Sequence, residues 1–401
     1  MQKVTGSTPV TSTKGLVHSS PFYSSFINII YYLSNTVLHR SSSAKKVLVF
    51  LTIGFIVLYL LSTLAPYISS GKFWIIAILG LTFPVLLIML FLFLVIWALK
   101  KSKWFFICLI VMLIGWRQLS VLVAFGNGNS GPEVERKENS LRVMSWNVSR
   151  WDERNKEKRG GQSYRALMFD LIEVESPDIL CFQEFFESND PKYFEANIPA
   201  LQKLGYPYYH FFPSFQLFEN KFQYGLAIFS KLPIITKESF LNNARQHSEG
   251  IIFVDINYNN QRLRIFNMHP ESPGFSKNDF TADGGISPSK NMFQKIKRSY
   301  GYRNAQVNSA KEIIKQSPYP VIVCSDLGDI PNSYAYFTLR KGLQDVFLLK
   351  GNGLGRTYRF VSPHLRIDYI FASKNLASYN YYIPKVVYSD HYPQIVDIQI
   401  K

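Results

Sequence analysis

Long apolar runs open the chain and short ones fill the rest. Val47–Ile68 carries no charge and is about as long as the roughly 20 residues a bilayer demands. Phe73–Leu99 is longer and contains Pro84, which tilts or kinks a helix. Trp104–Phe125 is a third run, interrupted by Arg117. Lys72, Lys100, Lys101, Lys103 and Arg117 are the only charges between Val47 and Phe125. An arginine at that depth is costly, so it snorkels to an interface or pairs within a bundle. The pattern predicts three transmembrane helices over residues 47–125.

From Leu141 the rhythm changes to short apolar runs ended by polar residues. Leu141–Trp146, Ile179–Phe182, Tyr224–Phe229, Ile251–Ile256, Leu263–Asn267, Val321–Cys324 and Ile367–Phe371 read as strands. Gln162–Glu175 and Asn304–Gln316 have apolar residues three and four apart and read as helices. Many strands with a few helices predict a layered α/β domain over residues 141–401. The Gly-, Asn- and charge-rich stretch 126–140 reads as a linker. Residues 1–46 read as an extension, disordered or interfacial. Phe22–Leu38 within it is apolar, but broken by Ser24, Ser25, Asn28, Ser34 and Asn35.

Composition sharpens this division. Only 18% of the 401 residues are charged, below the roughly 25% of soluble proteins, and the deficit lies in the N-terminal third. A wholly soluble protein and a polytopic transporter are both excluded. The net charge is +16, of which +9 precedes Ser140 and +7 follows it. Basic residues flanking membrane runs serve topology. The remaining excess is compatible with a phosphate-bearing substrate. Cys108, Cys181 and Cys324 lie in apolar runs, with no zinc spacing and no disulfide framework. Arg40, Lys45 and Lys46 precede the first run, and Lys100, Lys101 and Lys103 follow the second. The positive-inside rule then places both groups in the cytoplasm, and three spans deliver the C-terminal domain to the outer side.

Polar residues recur at strand ends. Asn147 ends the first strand, Gln183 and Glu184 the next apolar run, and Asn267 and His269 another. Asp326 follows Val-Ile-Val-Cys-Ser, Asp368 lies in Arg-Ile-Asp-Tyr-Ile-Phe, and Asp390 and His391 stand near the C-terminus. A site at one edge of a packed sheet requires this placement.

The segments Ser-Trp-Asn-Val (145–148), Pro-Asp-Ile-Leu-Cys-Phe-Gln-Glu (177–184), Tyr-Gly-Leu-Ala-Ile-Phe-Ser-Lys (224–231) and Asn-Met-His (267–269) resemble, in order, those of the endonuclease/exonuclease/phosphatase superfamily. Ser-Asp-Leu-Gly-Asp-Ile-Pro-Asn-Ser (325–333), Arg-Ile-Asp-Tyr-Ile (366–370) and Ser-Asp-His-Tyr-Pro (389–393) continue the series. With its apolar N-terminal third, the chain resembles bacterial membrane-tethered members, which implies the inner membrane, multi-pass, with the catalytic domain in the periplasm. The resemblance implies a four-layer α/β sandwich, two packed mixed sheets with helices outside, behind a three-helix anchor. It further implies Mg²⁺, with Mn²⁺ as a substitute, held by Glu184, Asn147 and Asp390. His391 is the implied catalytic histidine, oriented by Asp368. Asp326 positions or deprotonates the attacking water, and His269 contacts phosphoryl oxygens or the leaving group. Tyr224 and Asn267 fall at substrate-binding positions. The implied reaction is hydrolysis of a phosphoester by in-line water attack, with nucleic acid favoured over a phospholipid or small molecule. No protein partner is implied.

The chain departs from the family at Gly328, where an Asn is usual after Asp326-Leu327. Glycine there weakens catalysis, and a binding protein with little activity is the third expectation. Ser149 stands where abasic-site endonucleases have an aspartate, which disfavours that branch. Two weaker motifs remain. Gly351-Asn-Gly353-Leu-Gly355 resembles a phosphate-cradling loop without a following helix, so it reads first as a turn. The polar stretch Glu271–Tyr302 holds five Lys and Arg residues and reads as a solvated loop or a basic substrate-facing one.

Overall fold

The computed structural model describes residues 42–69, 73–126, 130–240, 250–272, 290–360 and 365–400. Phe22–Leu38 and most of the polar stretch from Glu271 lie outside the described residues. Among the described residues, two helices have the length and composition to cross a membrane, Ser42–Ser62 and Trp74–Leu99, the second with Pro84 inside it. The expected third span is corrected. Its helix covers only Trp104–Ile114 and turns at Gly115 before a four-residue piece, Trp116–Leu119. The reason is local: a Cβ at Gly115 would stand 2.0 Å from the Tyr59 hydroxyl. The residues beyond it also have partners elsewhere. Arg117 donates to the Tyr67 hydroxyl at 2.7 Å and lies over the Phe337 ring. Gln118 donates to the Thr63 carbonyl. Val121 is buried against Phe371, Tyr336 and Leu339.

The chain divides into two compact units. Of the described residues, one comprises 42–57 and 88–112, where Trp97 donates to the Thr52 hydroxyl and stacks near Trp104. The other comprises residues 58–87 and 113–401 and contains both large sheets.

Among the described residues, fourteen strands follow in the second unit: β1 (Ala124–Phe125), β2 (Leu141–Asn147), β3 (Ile179–Ser188), β4 (Tyr208–Leu217), β5 (Phe222–Ser230), β6 (Ile234–Phe240) and β7 (Gly250–Tyr258). The rest are β8 (Gln261–His269), β9 (Val321–Asp326), β10 (Leu343–Asp345), β11 (Asn352–Gly353), β12 (Asp368–Ser373), β13 (Leu376–Tyr382) and β14 (Gln394–Ile400). They form two six-stranded mixed sheets, β13-β14-β2-β3-β5-β4 and β10-β12-β9-β8-β7-β6, plus the short pair β1-β11. Each large sheet has one parallel pair, β2 with β3 and β8 with β9. Parallel neighbours need a crossover, supplied here by helices Arg165–Glu175 and Lys290–Lys315.

Alternation of side chains sorts the apolar residues into three cores. Val143, Ile179, Cys181 and Ile228 of one sheet meet Ile252, Val254, Ile322 and Cys324 of the other. The opposite face of the second sheet packs Phe266, Val323 and Phe371 against Val307 and Ala310 of the long helix. The opposite face of the first packs Met144, Leu180 and Phe182 against Met168 and Ile172. The result is helix, sheet, sheet, helix: the four-layer sandwich, with all three cysteines free and buried. All seven segments read as strands from the sequence are strands.

Candidate active site

Register brings the polar strand ends together. Asn147 pairs across from Gln183 at the end of the β2-β3 pair, and Asp368 opens β12 directly opposite Asp326, which closes β9. His269 ends β8, whose Met268 is opposite Ser325. His391 enters from the loop before β14 and is held by its own backbone. Its carbonyl accepts from the Trp146 indole, and its N–H donates to Ser389 Oγ. Ser389 Oγ in turn donates to the Asn147 carbonyl.

Asp326 is the hub. Its Oδ2 accepts from Asn147 Nδ2 at 2.8 Å and faces His391 Nε2 at 3.6 Å and His269 Nε2 at 3.7 Å. Its Oδ1 accepts the Gly328 N–H at 3.0 Å. Burial raises its pKa, but the two histidines, the amide and the backbone N–H outweigh that, and it ends below the usual carboxylate value. His391 turns its other nitrogen to Asp368, 3.0 Å from both oxygens. Burial opposes its charge, yet Asp368 and Asp326 carry its pKa well above the ordinary imidazole value. Burial pushes Asp368 up, with His391 pulling against it, and the backbone N–H of Asp368 donates to Thr357 Oγ1. A carboxylate on each nitrogen leaves the shared proton on His391.

Glu184 sits at a β-bulge between Phe182 and Phe185 in left-handed backbone, φ 48°. Such a conformation costs about 1–3 kcal/mol and recurs at functional sites. Glu184 Oε1 lies 3.4 Å from Asn147 Nδ2, and Arg150 Nε lies 3.7 Å from Oε2. Asn147 Oδ1 accepts from Ser149 N–H, so its NH₂ group bridges the Glu184 and Asp326 carboxylates. In this arrangement Asn147 orients both acids rather than offering an oxygen to a cation. Glu184 and Asp390 supply the oxygen donors that a hard divalent cation takes, so the residues present fit one. Asp326, Asp368 and His391 also bring ligand atoms within 4.8 Å of one another. His391 Nδ1 and Asp368 are committed to each other, and the Asp326 oxygens to Asn147 and Gly328, which suits a proton relay better than a cation.

The expected substrate contacts separate. The Tyr224 ring lies 4.7 Å beneath the Arg150 guanidinium. Asn267 is corrected: fully buried between the sheets, it donates to the Phe182 and Ala227 carbonyls and accepts from Gln183. It braces the sandwich and does not reach the opening. At Gly328 the backbone is left-handed, φ 60°, which glycine adopts without strain. The polar residues that follow Gly328, Asp329 and Asn332, have their partners elsewhere. Asp329 is buried against Arg303 and Tyr300, and Asn332 donates to the Ser62 and Gly80 carbonyls.

Two residues join the site that no sequence motif marks. Arg150 lies in a run of four left-handed residues, Ser149–Asp152, anchored by the fully buried Trp151. Tyr358 packs edge-on to His391 at 5.0 Å, and burial together with Asp390, Asp326, Glu184 and Asp368 pushes its hydroxyl up to about 12. Tyr358 thus feels the charge of all four carboxylates. Its signal was absent because it depends on a single bridge pairing with His391, 33 residues away in sequence.

A model of the endonuclease/exonuclease/phosphatase family matches residues 144–391, and one of a domain of unknown function matches residues 45–122. A search of curated proteins gives no match. Among solved structures, an endonuclease/exonuclease/phosphatase from Beutenbergia cavernae is 17% identical, with 66% of this chain and 72% of that one covered and a TM-score of 0.46. The human Nocturnin catalytic domain with bound sulfate is 21% identical, covering 65% and 94%, TM-score 0.46. The D. rerio TDP2 complexed with a single-strand DNA product is 18% identical, covering 65% and 100%, TM-score 0.46.

Proposed function

The chain belongs to the endonuclease/exonuclease/phosphatase family, and from that premise we propose a membrane-tethered, Mg²⁺-dependent phosphoesterase that hydrolyses a phosphodiester by in-line water attack. The observation that carries the reading is Asp326, held by Asn147 and faced by two histidines, with His391 backed by Asp368.

The residues divide the work by charge. Asp326, with its depressed pKa, is ionised and orients the attacking water or takes its proton. His391 holds its proton and stabilises negative charge growing on the phosphoryl group. His269, beside Asp326, serves a phosphoryl oxygen or the leaving group. Arg150, fixed over Tyr224, is placed to pair with a substrate phosphate. A divalent cation, when bound, would neutralise the phosphoryl charge, and Glu184 and Asp390 would hold it.

Nucleic acid is the favoured substrate, supported by the net +7 after Asn139 and the arginine at the site. A phospholipid is the second reading, favoured by one contact: the loop following Asp326 reaches the apolar helices through Asn332. Ser62 closes its helix and Gly80 lies early in the next, so this contact meets the connection between them.

The test is hydrolysis by the full chain in nonionic detergent with Mg²⁺, offered DNA, RNA, sphingomyelin micelles and bis-p-nitrophenyl phosphate. Chelator-sensitive cleavage of polynucleotide, falling steeply with salt, is expected. Turnover of micellar lipid alone moves the substrate to the second reading. No turnover of any of the four, with Mg²⁺ or Mn²⁺, defeats the hydrolase reading and leaves a binding protein.

A further inference from the structure

We propose that the loop Gly351–Gly355 forms one wall of a second anion pocket, separate from the catalytic edge, which takes a phosphate group. A cavity of about 420 Å³ opens there, lined by Lys350, Gly351, Asn352, Gly355, Arg356 and Lys385 among others. Its lining has three cations and no carboxylate, and none of the catalytic residues. Among the described residues no ion pair involves Lys350, Arg356 or Lys385. A larger hollow of about 750 Å³ beside Arg159 makes the contrast. There Arg165 is paired with Glu195, Arg159 with Asp152, and Lys156 with Glu153, so its charge is already satisfied.

The pocket keeps donors in reserve. Lys385 gives one of its three N–H bonds to the Arg356 carbonyl and rests 4.4 Å over the Tyr392 ring. Lys385 is an exposed residue, yet partial desolvation and the Arg356 charge push its pKa down to about 8. Arg356 spends Nε and Nη2 on the carbonyls of Tyr358 and Arg359, leaving Nη1. Crowded cations with spare donors gain from a bound anion, and phosphate matches both charge and acceptor count. The loop is shaped for close approach: Gly355 is left-handed, and a Cβ there would meet the Phe347 ring at 2.4 Å. An apolar rim adjoins it. Leu354 is exposed, and Phe125, 86% exposed, pairs with Asn352 through β1-β11. A phosphate carried on a lipid headgroup and a free phosphate ester both fit this chemistry.

The depressed pKa makes Lys385 a reporter. The full chain in nonionic detergent is acylated with acetic anhydride near pH 8, and Lys385 and Lys341 are followed by peptide mass spectrometry. Ligands are inorganic phosphate, short-chain phosphatidylglycerol and short-chain phosphatidylcholine, with chloride at matched ionic strength. EDTA is present throughout to silence the metal-dependent catalytic site. Phosphate or phosphatidylglycerol, at several times its Kd, is expected to slow Lys385 labelling by about threefold or more and leave Lys341 unchanged. Lys350→Gln and, separately, Arg356→Gln should weaken that protection. Protection by both ligands identifies a free-phosphate site; protection by phosphatidylglycerol alone identifies a headgroup site. Protection equal with phosphatidylcholine, or absent with all ligands, or unchanged in the Lys350→Gln protein, overturns the proposal.

Discussion

Replacing Asp368 by Asn tests the central pair. The substitution keeps the shape but removes the carboxylate that stands 3.0 Å from His391 Nδ1 through both oxygens. At that distance and an effective dielectric near 20, the attraction is at most about 5 kcal/mol. Desolvation of the buried pair takes back a share, and neighbours at this range move a pKa by roughly 1–3. Asp326 remains 3.6 Å from Nε2 and preserves part of the elevation. The His391 midpoint should therefore fall toward the ordinary imidazole value. NMR titration of the imidazole, assigned by comparison with His391→Gln, reads this without any substrate. The rate on a chromogenic phosphodiester should fall by roughly 10²–10⁴ near neutrality. The wild-type rate should be lost on the alkaline side, as His391 deprotonates, and that limb should move down in the variant. Stability follows the same sign. Because the folded pKa is raised, the His391 contribution is present below about 6.5 and fades as pH climbs through the folded value. If the midpoint stays within about half a pH unit of wild type, Asp368 does not set the charge of His391 and the reasoning fails.

Glu184→Gln removes the one carboxylate at the bulge and should abolish tight Mn²⁺ binding, read by electron paramagnetic resonance, and cost on the order of a hundredfold or more in rate; unchanged Mn²⁺ affinity would move the cation elsewhere. Gly328→Asn should fold, since Asn accepts left-handed backbone and the new Cβ meets Arg303 at a tolerable 3.4 Å, and should raise the rate several-fold with little change in KM. Gly328→Val at the same φ should instead lower Tm; equal behaviour of the two would show that the backbone conformation does not matter. A chain beginning at Asn139 loses Val121, whose carbonyl accepts from the buried Arg366 and whose side chain packs in the second core. The orphaned donor costs about 1–3 kcal/mol and the lost apolar burial about 1.5 kcal/mol or more, so this chain should melt well below one beginning at Leu113; equal melting temperatures would make the segment dispensable.

Local chemistry alone determined a good part of this protein. Strand ends are written as apolar runs closed by Asn147, His269 and Asp326, because alternation and burial act within a few residues. The apolar helices are equally legible, since a bilayer-length run needs no partner to be recognised. Strands β4, β6, β10 and β13 were not, because they are the four sheet edges, and edge strands carry a weak pattern and depend on neighbours for definition. The length of the third apolar helix was decided by tertiary contacts: Gly115 against Tyr59, Arg117 over Phe337, Val121 in the core. The roles of the polar residues were decided the same way. Asn267 and Asn147 are both amides at strand ends, yet one is sealed between sheets and the other bridges two acids. Arg150 and Tyr358 acquire their meaning only from a left-handed turn and a single cross-chain bridge, and such placements arise from folding together residues that the sequence keeps apart.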